Sequence, residues 1–260
     1  MDEVPVVMNR IMIMTQSQID KLIAENVEKA VHEQKENDEY DLLKKQTDLA
    51  ILANQINPHF LYNTLECICS MALINGDRSV ADITLALSQY FRYSISGREG
   101  IVTLKEELDN LKNYISIQQF RFPKKFKIHF GPMESLQEIG IPKLSLQPLV
   151  ENAIIHGLKD TTLGGEIHIE AKKMGNILEI CVSDNGTGMN LEKLDRLRES
   201  IRDEGRFGTE GGSHSGIGLR NVNKRIKLYY GLPFGITVDS CEGIGTEVWL
   251  SLPVQTGMGV

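Results

Sequence analysis

The run Asp184-Asn185-Gly186-Thr187-Gly188-Met189 follows directly on Ile177 to Ser183, a stretch that reads as a buried strand, and it constrains the chain more than any other feature. A strand ending in Asp-x-Gly-x-Gly sets one carboxylate beside backbone that lacks Cβ atoms, against which a flat ligand can lie. Asp-Asn-Gly by itself is also an ordinary turn. Three other runs give it a context. Glu151-Asn152-Ala153 sits upstream on an apolar-periodic helix, and Gly216-Ile217-Gly218-Leu219 opens a helix downstream. Far upstream stands Asn57-Pro58-His59-Phe60-Leu61-Tyr62-Asn63.

Composition narrows the classes. The chain has 260 residues, of which 41% are hydrophobic, enough for two domains or one large one around a packed core. A formal net charge of -7 and the lack of a dense Lys/Arg stripe argue against nucleic acid as the main partner. No apolar run reaches the roughly 18 residues of a membrane span. The first residues include Asp2, Glu3, Asn9 and Arg10 and do not read as a signal peptide. Cys67 and Cys69 diverge around a helix axis. Together with Cys181 and Cys241 they are expected as small buried residues in a reducing cytoplasm rather than metal ligands or disulfides.

Residues 6 to 31 and then Leu42, Leu49, Leu52 and Ile56 carry near-heptad spacing around a polar stretch. That spacing fits a long solvated helix or a parallel dimeric signalling helix. Two helices are predicted at 58–75 and 78–95, with Asn75-Gly76-Asp77 as the turn between them. Their broad apolar faces call for a partner. A third helix, 103–121, opens on a Thr103/Glu106 capping box. Beyond residue 123 the pattern is mixed. A strand is expected at 127–130, a helix from Pro142 to about Gly157, and strands at 165–173 and 176–184. Helices follow at 190–203 and 218–230, then strands at 235–240 and 246–253. Six glycines between 205 and 218 mark a surface loop, which in a nucleotide-binding protein would be a lid.

His59, Asn63, Glu66 and Ser70 share one helical face, opposite Leu61, Leu65 and Ile68, so the imidazole is expected at the solvent. Pro58 removes the hydrogen bond to the Asn54 carbonyl and sets His59 at a kink or a helix start. The chain has no Gly-x-x-x-x-Gly-Lys-Ser/Thr, and no Gly-x-Gly-x-x-Gly follows a strand, so neither a P-loop nor a dinucleotide fold is supported.

Taken together, the four runs resemble a LytS/YesM-like sensor histidine kinase, over about residues 42–254. The resemblance implies an α+β chain in which an N-terminal helical dimerisation region precedes a GHKL, or Bergerat, α/β-sandwich ATP domain. The implied division is a signalling helix at 1–41, where Asp2-Glu3-Val4-Pro5 resembles the second helix of a HAMP linker, then phosphotransfer helices at 42–122 and the ATP domain at 123–256. It makes His59 the phosphoacceptor and Asp184 the acceptor of the adenine amino proton, with Gly186 and Gly188 admitting the base. Asn152 would hold Mg²⁺. Gly216, Gly218, Leu219 and Arg220 would offer a helix N-terminus to phosphate, and Thr246, in Gly245-Thr246, would lie near the ligand.

Three positions depart from the pattern. Ile155 stands where many relatives carry a phosphate-binding Lys, leaving Lys159 or Arg220 as substitutes. Phe60 stands where most histidine kinases place an acid beside the histidine, so Glu66 or Asn63 is expected to orient the imidazole. Pro148 stands where ATPases of this fold commonly carry a catalytic Glu, which counts against a hydrolase. The implied cofactors are ATP and Mg²⁺. The implied partners are a second copy of the chain and a response regulator, with the membrane reached only through a sensor region outside this chain. The implied location is therefore the cytoplasmic side of a membrane protein. The rival readings are an ATP-binding signalling scaffold without catalysis and a GHKL-type ATPase.

Overall fold

The computed structural model describes residues 58–95, 100–161, 163–202 and 217–254. The expected signalling helix at 1–41, the heptad positions up to Ile56 and the glycines from Gly205 to Gly216 lie outside the described residues.

Helices α1 (Pro58–Ile74) and α2 (Arg78–Ile95) form a hairpin. Gly76, at φ 75°, closes α1, and Asp77 caps α2 by accepting the Val80 N–H at 3.1 Å. Leu65, Ala72, Ala81 and Ala86 are buried, whereas Phe60, Ile68, Met71, Leu73, Ile74 and Leu85 are exposed. The apolar stripe predicted for α1 is thus only partly covered within one chain. The thiols also depart from expectation. Only Cys181 is buried; Cys67 and Cys241 are exposed and Cys69 is half-buried, Cys67 and Cys69 because α1 covers only a narrow strip of α2, Cys241 because it stands at the end of a strand.

Strand β1 (Ile101–Thr103) leads straight into helix α3 (Leu104–Arg121). The capping box forms as predicted: Glu106 N–H donates to Thr103 Oγ1 at 3.1 Å and Thr103 N–H donates to Glu106 Oε2 at 2.9 Å. Leu104, Leu108, Leu111, Tyr114 and Ile115 of α3 join the same apolar core as the strands that follow, so α3 is more than a connecting helix.

Strand β2 (Phe126–Phe130) and a short 3₁₀ turn (Glu134–Leu136) precede strand β3 (Gly140–Pro142). Pro142 was expected to open a helix. It ends β3 instead, paired with Ile101, because Ile141 is fully buried there. Helix α4 begins five residues later (Gln147–Asn152), with Pro148 supplying the first-turn proline, and continues as a π-helical stretch, Ala153–Gly157. The intervening turn carries Leu144 at φ 58°. It is held by Glu107 of α3, whose carboxylate accepts the Leu144 and Leu146 N–H groups at 2.9 and 3.0 Å and the Tyr93 hydroxyl at 2.6 Å. Glu107 is 1% exposed, and burial raises its carboxyl above the ordinary value against these opposing bonds. Glu107→Ala would leave the buried Leu146 amide, the half-buried Leu144 amide and the half-buried Tyr93 hydroxyl without this acceptor, at about 1–3 kcal/mol for a fully buried group and less for the other two. We expect urea melts to show a loss of at least about 2 kcal/mol, and a loss below 1 kcal/mol would mean that water replaces the carboxylate.

The remaining chain supplies β4 (Gly165–Met174), β5 (Ile177–Asp184), α5 (Leu191–Arg202), α6 (Ile217–Tyr230), β6 (Gly235–Cys241) and β7 (Gly245–Pro253). The five-stranded sheet runs β2-β4-β5-β7-β6, parallel at β2–β4 and antiparallel elsewhere. Alternation along β4 sends Ile167 and Ile169 inward and Glu166, His168 and Glu170 outward. The inner face packs with Leu149, Val150, Leu194, Leu219, Val222 and Ile226 of the helices in one core, giving a two-layer α/β sandwich. Buried Asn223 ties three elements: its amide donates to the Ile201 carbonyl at 2.8 Å and accepts the Ile236 N–H at 2.9 Å.

Candidate functional site

Strand β5 ends at Asp184, in register with Thr246 of β7. The Gly186 N–H donates to Asp184 Oδ1 at 2.9 Å, and the Thr246 N–H donates to the same carboxylate. Burial outweighs both bonds and pushes Asp184 up to about 6.

Helix α4 approaches from the opposite side. The Asn152 amide donates from Nδ2 to the Pro148 carbonyl at 2.6 Å. That carbonyl only accepts, so nitrogen faces it and Oδ1 is left for another partner. Past Asn152 the wide turn closes with Leu158 N–H on the Ala153 carbonyl at 2.8 Å. Such π inserts are frequent at functional sites. Here the insert lays Gly157 against Asp184: a Cβ at Gly157 would stand 2.5 Å from Oδ1. A Cβ at Gly186 would stand 2.0 Å from the Gly157 carbonyl oxygen, and one at Gly188, whose φ is 63°, 1.9 Å from that of Cys241. Thr187 N–H closes the cradle on the Gly157 carbonyl at 3.0 Å.

One cavity brings Asn152, Asp184, Gly188, Leu219 and Thr246 together, between apolar walls that include Val182, Val238 and Val248. Gly186 stands behind the lining. Gly218 opens α6 against α4, where an added Cβ would be 3.3 Å from Pro148 Cβ and 3.9 Å from Asn152 Nδ2. Arg220 follows on the first turn of α6 and does not line the cavity, and Gly216 lies outside the described residues. Ile155, at the position where relatives carry Lys, is exposed, and Lys159 does not line the cavity. Lys193, on the first turn of α5, does line it, beside His156. Burial holds the His156 imidazole below its usual value, and Lys193 and Lys159 lower it further. Sequence reasoning passed over Lys193. Its one signal was a Lys four residues beyond Met189, in the first turn of a predicted helix.

His59 is exposed near the start of α1. The Asn63 amide nitrogen stands 3.3 Å from Nδ1 and 3.4 Å from Nε2, so it lies against the ring without committing to one nitrogen. Glu66, the other residue expected to orient the ring, is held instead by Arg92 of α2 at 3.1 Å.

Residues 47–126 match the family model described as histidine kinase. Residues 142–256 match the histidine kinase-, DNA gyrase B-, and HSP90-like ATPase. Sensor histidine kinase YesM of Bacillus subtilis is 37% identical over 95% of this chain and 38% of its own length. Sensor protein LytS of Staphylococcus saprophyticus is 32% identical over 81% of this chain and 34% of its own. The histidine kinase domain of the Erythrobacter litoralis EL346 blue-light activated kinase aligns at a TM-score of 0.44 and 17% identity, covering 79% of this chain and 90% of that one. The two family matches define a histidine kinase core followed by an ATPase domain of the GHKL type. The chain belongs to the LytS/YesM-like sensor histidine kinases, and spans between a third and two fifths of the length of those two relatives. Among the described residues no helix is long and apolar enough to cross a membrane.

Proposed function

We propose that this chain binds Mg-ATP in the Asp184 cavity, transfers the γ-phosphoryl group to His59, and passes it to an aspartate of a response regulator. The supporting observation is the half-buried Asp184 carboxylate beside Gly157, Gly186 and Gly188, where every Cβ would collide with the cradle. An acceptor-only carboxylate beside bare backbone suits a planar base with an exocyclic amine. Asn152 fits as the Mg²⁺ residue, since its amide nitrogen is already committed to Pro148 and its oxygen is a hard donor. The ion would supply charge neutralisation of the triphosphate. Lys193 and Arg220 are assigned to phosphate, Lys193 because it lines the cavity and Arg220 because it begins a helix.

Phosphoryl transfer to a neutral imidazole asks for positioning and charge stabilisation rather than an acid or base. Asn63 is assigned to orient the ring, in place of the acid that Phe60 displaces. Homodimerisation of the α1–α2 hairpin accounts for the exposed Ile68, Met71, Leu73 and Leu85. The test is incubation with γ-labelled ATP and then with receiver domains of candidate regulators. Label on the chain that is acid-labile and base-stable, then lost to one receiver, is the expected result. ATP binding without any labelled chain would favour the non-catalytic scaffold.

A further inference from the structure

The outer face of the sheet, away from the helices, holds a group of side chains that the kinase reading does not use. His129 on β2 and His168 on β4 are cross-strand partners in the parallel register, and Glu166 precedes His168 by two residues on the same face. All three are exposed. The two imidazoles stack with centroids 4.7 Å apart and planes within 18°. His168 Nε2 stands 3.8 Å from Glu166 Oε2. One ligand atom from each residue lies within 4.8 Å of the other two.

From this arrangement we propose that His129, Glu166 and His168 form a binding site for a divalent transition ion of the Zn²⁺, Co²⁺ or Ni²⁺ class. The geometry follows from the sheet. Residues two apart on a strand share a face at about 6.6 Å, and a cross-strand neighbour stands about 5 Å away, so the three ligands bracket one point above the β2–β4 pair. Around an ion with bonds of about 2.0–2.2 Å, ligand atoms sit roughly 3.4 Å apart. The separations, up to 4.8 Å, exceed that value, so binding requires the exposed side chains to rotate towards one another. Two neutral imidazoles and a carboxylate carry one negative charge, which partly neutralises a divalent ion and leaves its other positions to water. Imidazole nitrogen selects against Mg²⁺ and Ca²⁺, which take oxygen, so this site is chemically separate from Asn152 and the ATP cavity.

The site also has a mechanical consequence. Strand β2 is the sheet's edge, held by five residue pairs to β4. An ion bridging His129 to His168 clips that edge in place, and because the ligands meet only in the folded chain, binding raises stability.

The test is a titration of the full chain with Co²⁺ and Zn²⁺ in excess Mg²⁺, followed by visible absorption, calorimetry and thermal melting. One ion per chain with low-micromolar affinity is expected, together with a Co²⁺ spectrum free of thiolate bands. His129→Ala and His168→Ala should each weaken binding at least about tenfold, since even outer-sphere partners of metal ligands are worth that much. Glu166→Gln should weaken it less. Zn²⁺ should raise the melting temperature of the wild type and leave the double histidine variant unmoved. All three residues are exposed, so unchanged circular dichroism of the metal-free variants is the control for folding. Affinity that survives the double variant would overturn the proposal. So would a thiolate spectrum, which would place the ion at Cys67 or Cys241, or an absence of saturable binding below millimolar Zn²⁺.

Discussion

Replacing His59 with glutamine is expected to abolish phosphoryl labelling of the chain and leave its ATP affinity within about twofold of the wild type, since the two sites share no partner. Glutamine keeps a polar, helix-compatible side chain at an exposed position, so α1 should be undisturbed, yet its amide nitrogen is no nucleophile. A neutral imidazole nitrogen is one. None of the other histidines should take up label, His156 beside the ATP cavity included. Asn63→Ala should slow labelling without ending it, because the amide sets only the ring's orientation. Label that persists in His59→Gln would move the acceptor to another residue and remove the central assignment.

Asp184→Asn is expected to weaken ATP about ten- to hundredfold, the worth of one charge-assisted hydrogen bond of about 1.5–3 kcal/mol. Affinity for nucleotide should also be pH-dependent in the wild type. With its proton leaving at about 6, Asp184 is an ionised acceptor above that pH and a protonated, weaker one below it, so affinity falls as pH drops through about 6. Asp184→Asn lacks that titration, and the difference between the two profiles removes the phosphate's own ionisation. Stability should move the other way. The native carboxyl binds its proton more tightly than the unfolded one, so apo stability falls as pH rises from about 3.8 to about 6 and stays lower above. At neutral pH the apo Asp184→Asn domain should therefore be more stable than wild type, by on the order of 1 kcal/mol. A variant that binds ATP normally, by calorimetry, would sink the adenine assignment. One that binds poorly and is also less stable would mean that Asp184 is chiefly a structural residue.

Local signals gave most of the element order because they act within a few residues. The Thr103/Glu106 box starts α3 where it was read, Gly76 ends α1, and period-two alternation located β4 and β5. Pro142 was misread because proline suits both a strand end and a first helical turn. What decides between them is burial of Ile141 and pairing of Pro142 with Ile101, 41 positions away, and no local pattern encodes that.

Within the site, the motifs that carry the family resemblance singled out Asp184, Asn152, Gly188, Leu219 and Thr246, which line one cavity. Lys193 and Gly157 were not picked out, since their importance comes from what other elements bring beside them. The sequence marks Gly157 only as the end of a helix, whereas the π turn sets it against a carboxylate.

By itself, then, the sequence determined most of the helices and strands, the two-layer pattern and the family, because capping, alternation and glycine-rich turns are short-range chemistry; the short β1 and β3, which exist only by pairing with each other, were not legible in it. Only the tertiary structure decided which polar groups are brought together. Glu107 with the amides of Leu144 and Leu146, Asn223 between Ile201 and Ile236, and the stacked His129 and His168 are each joined across elements. A side chain's desolvation and its partners are properties of packing, and packing is set by contacts between residues that the chain keeps far apart.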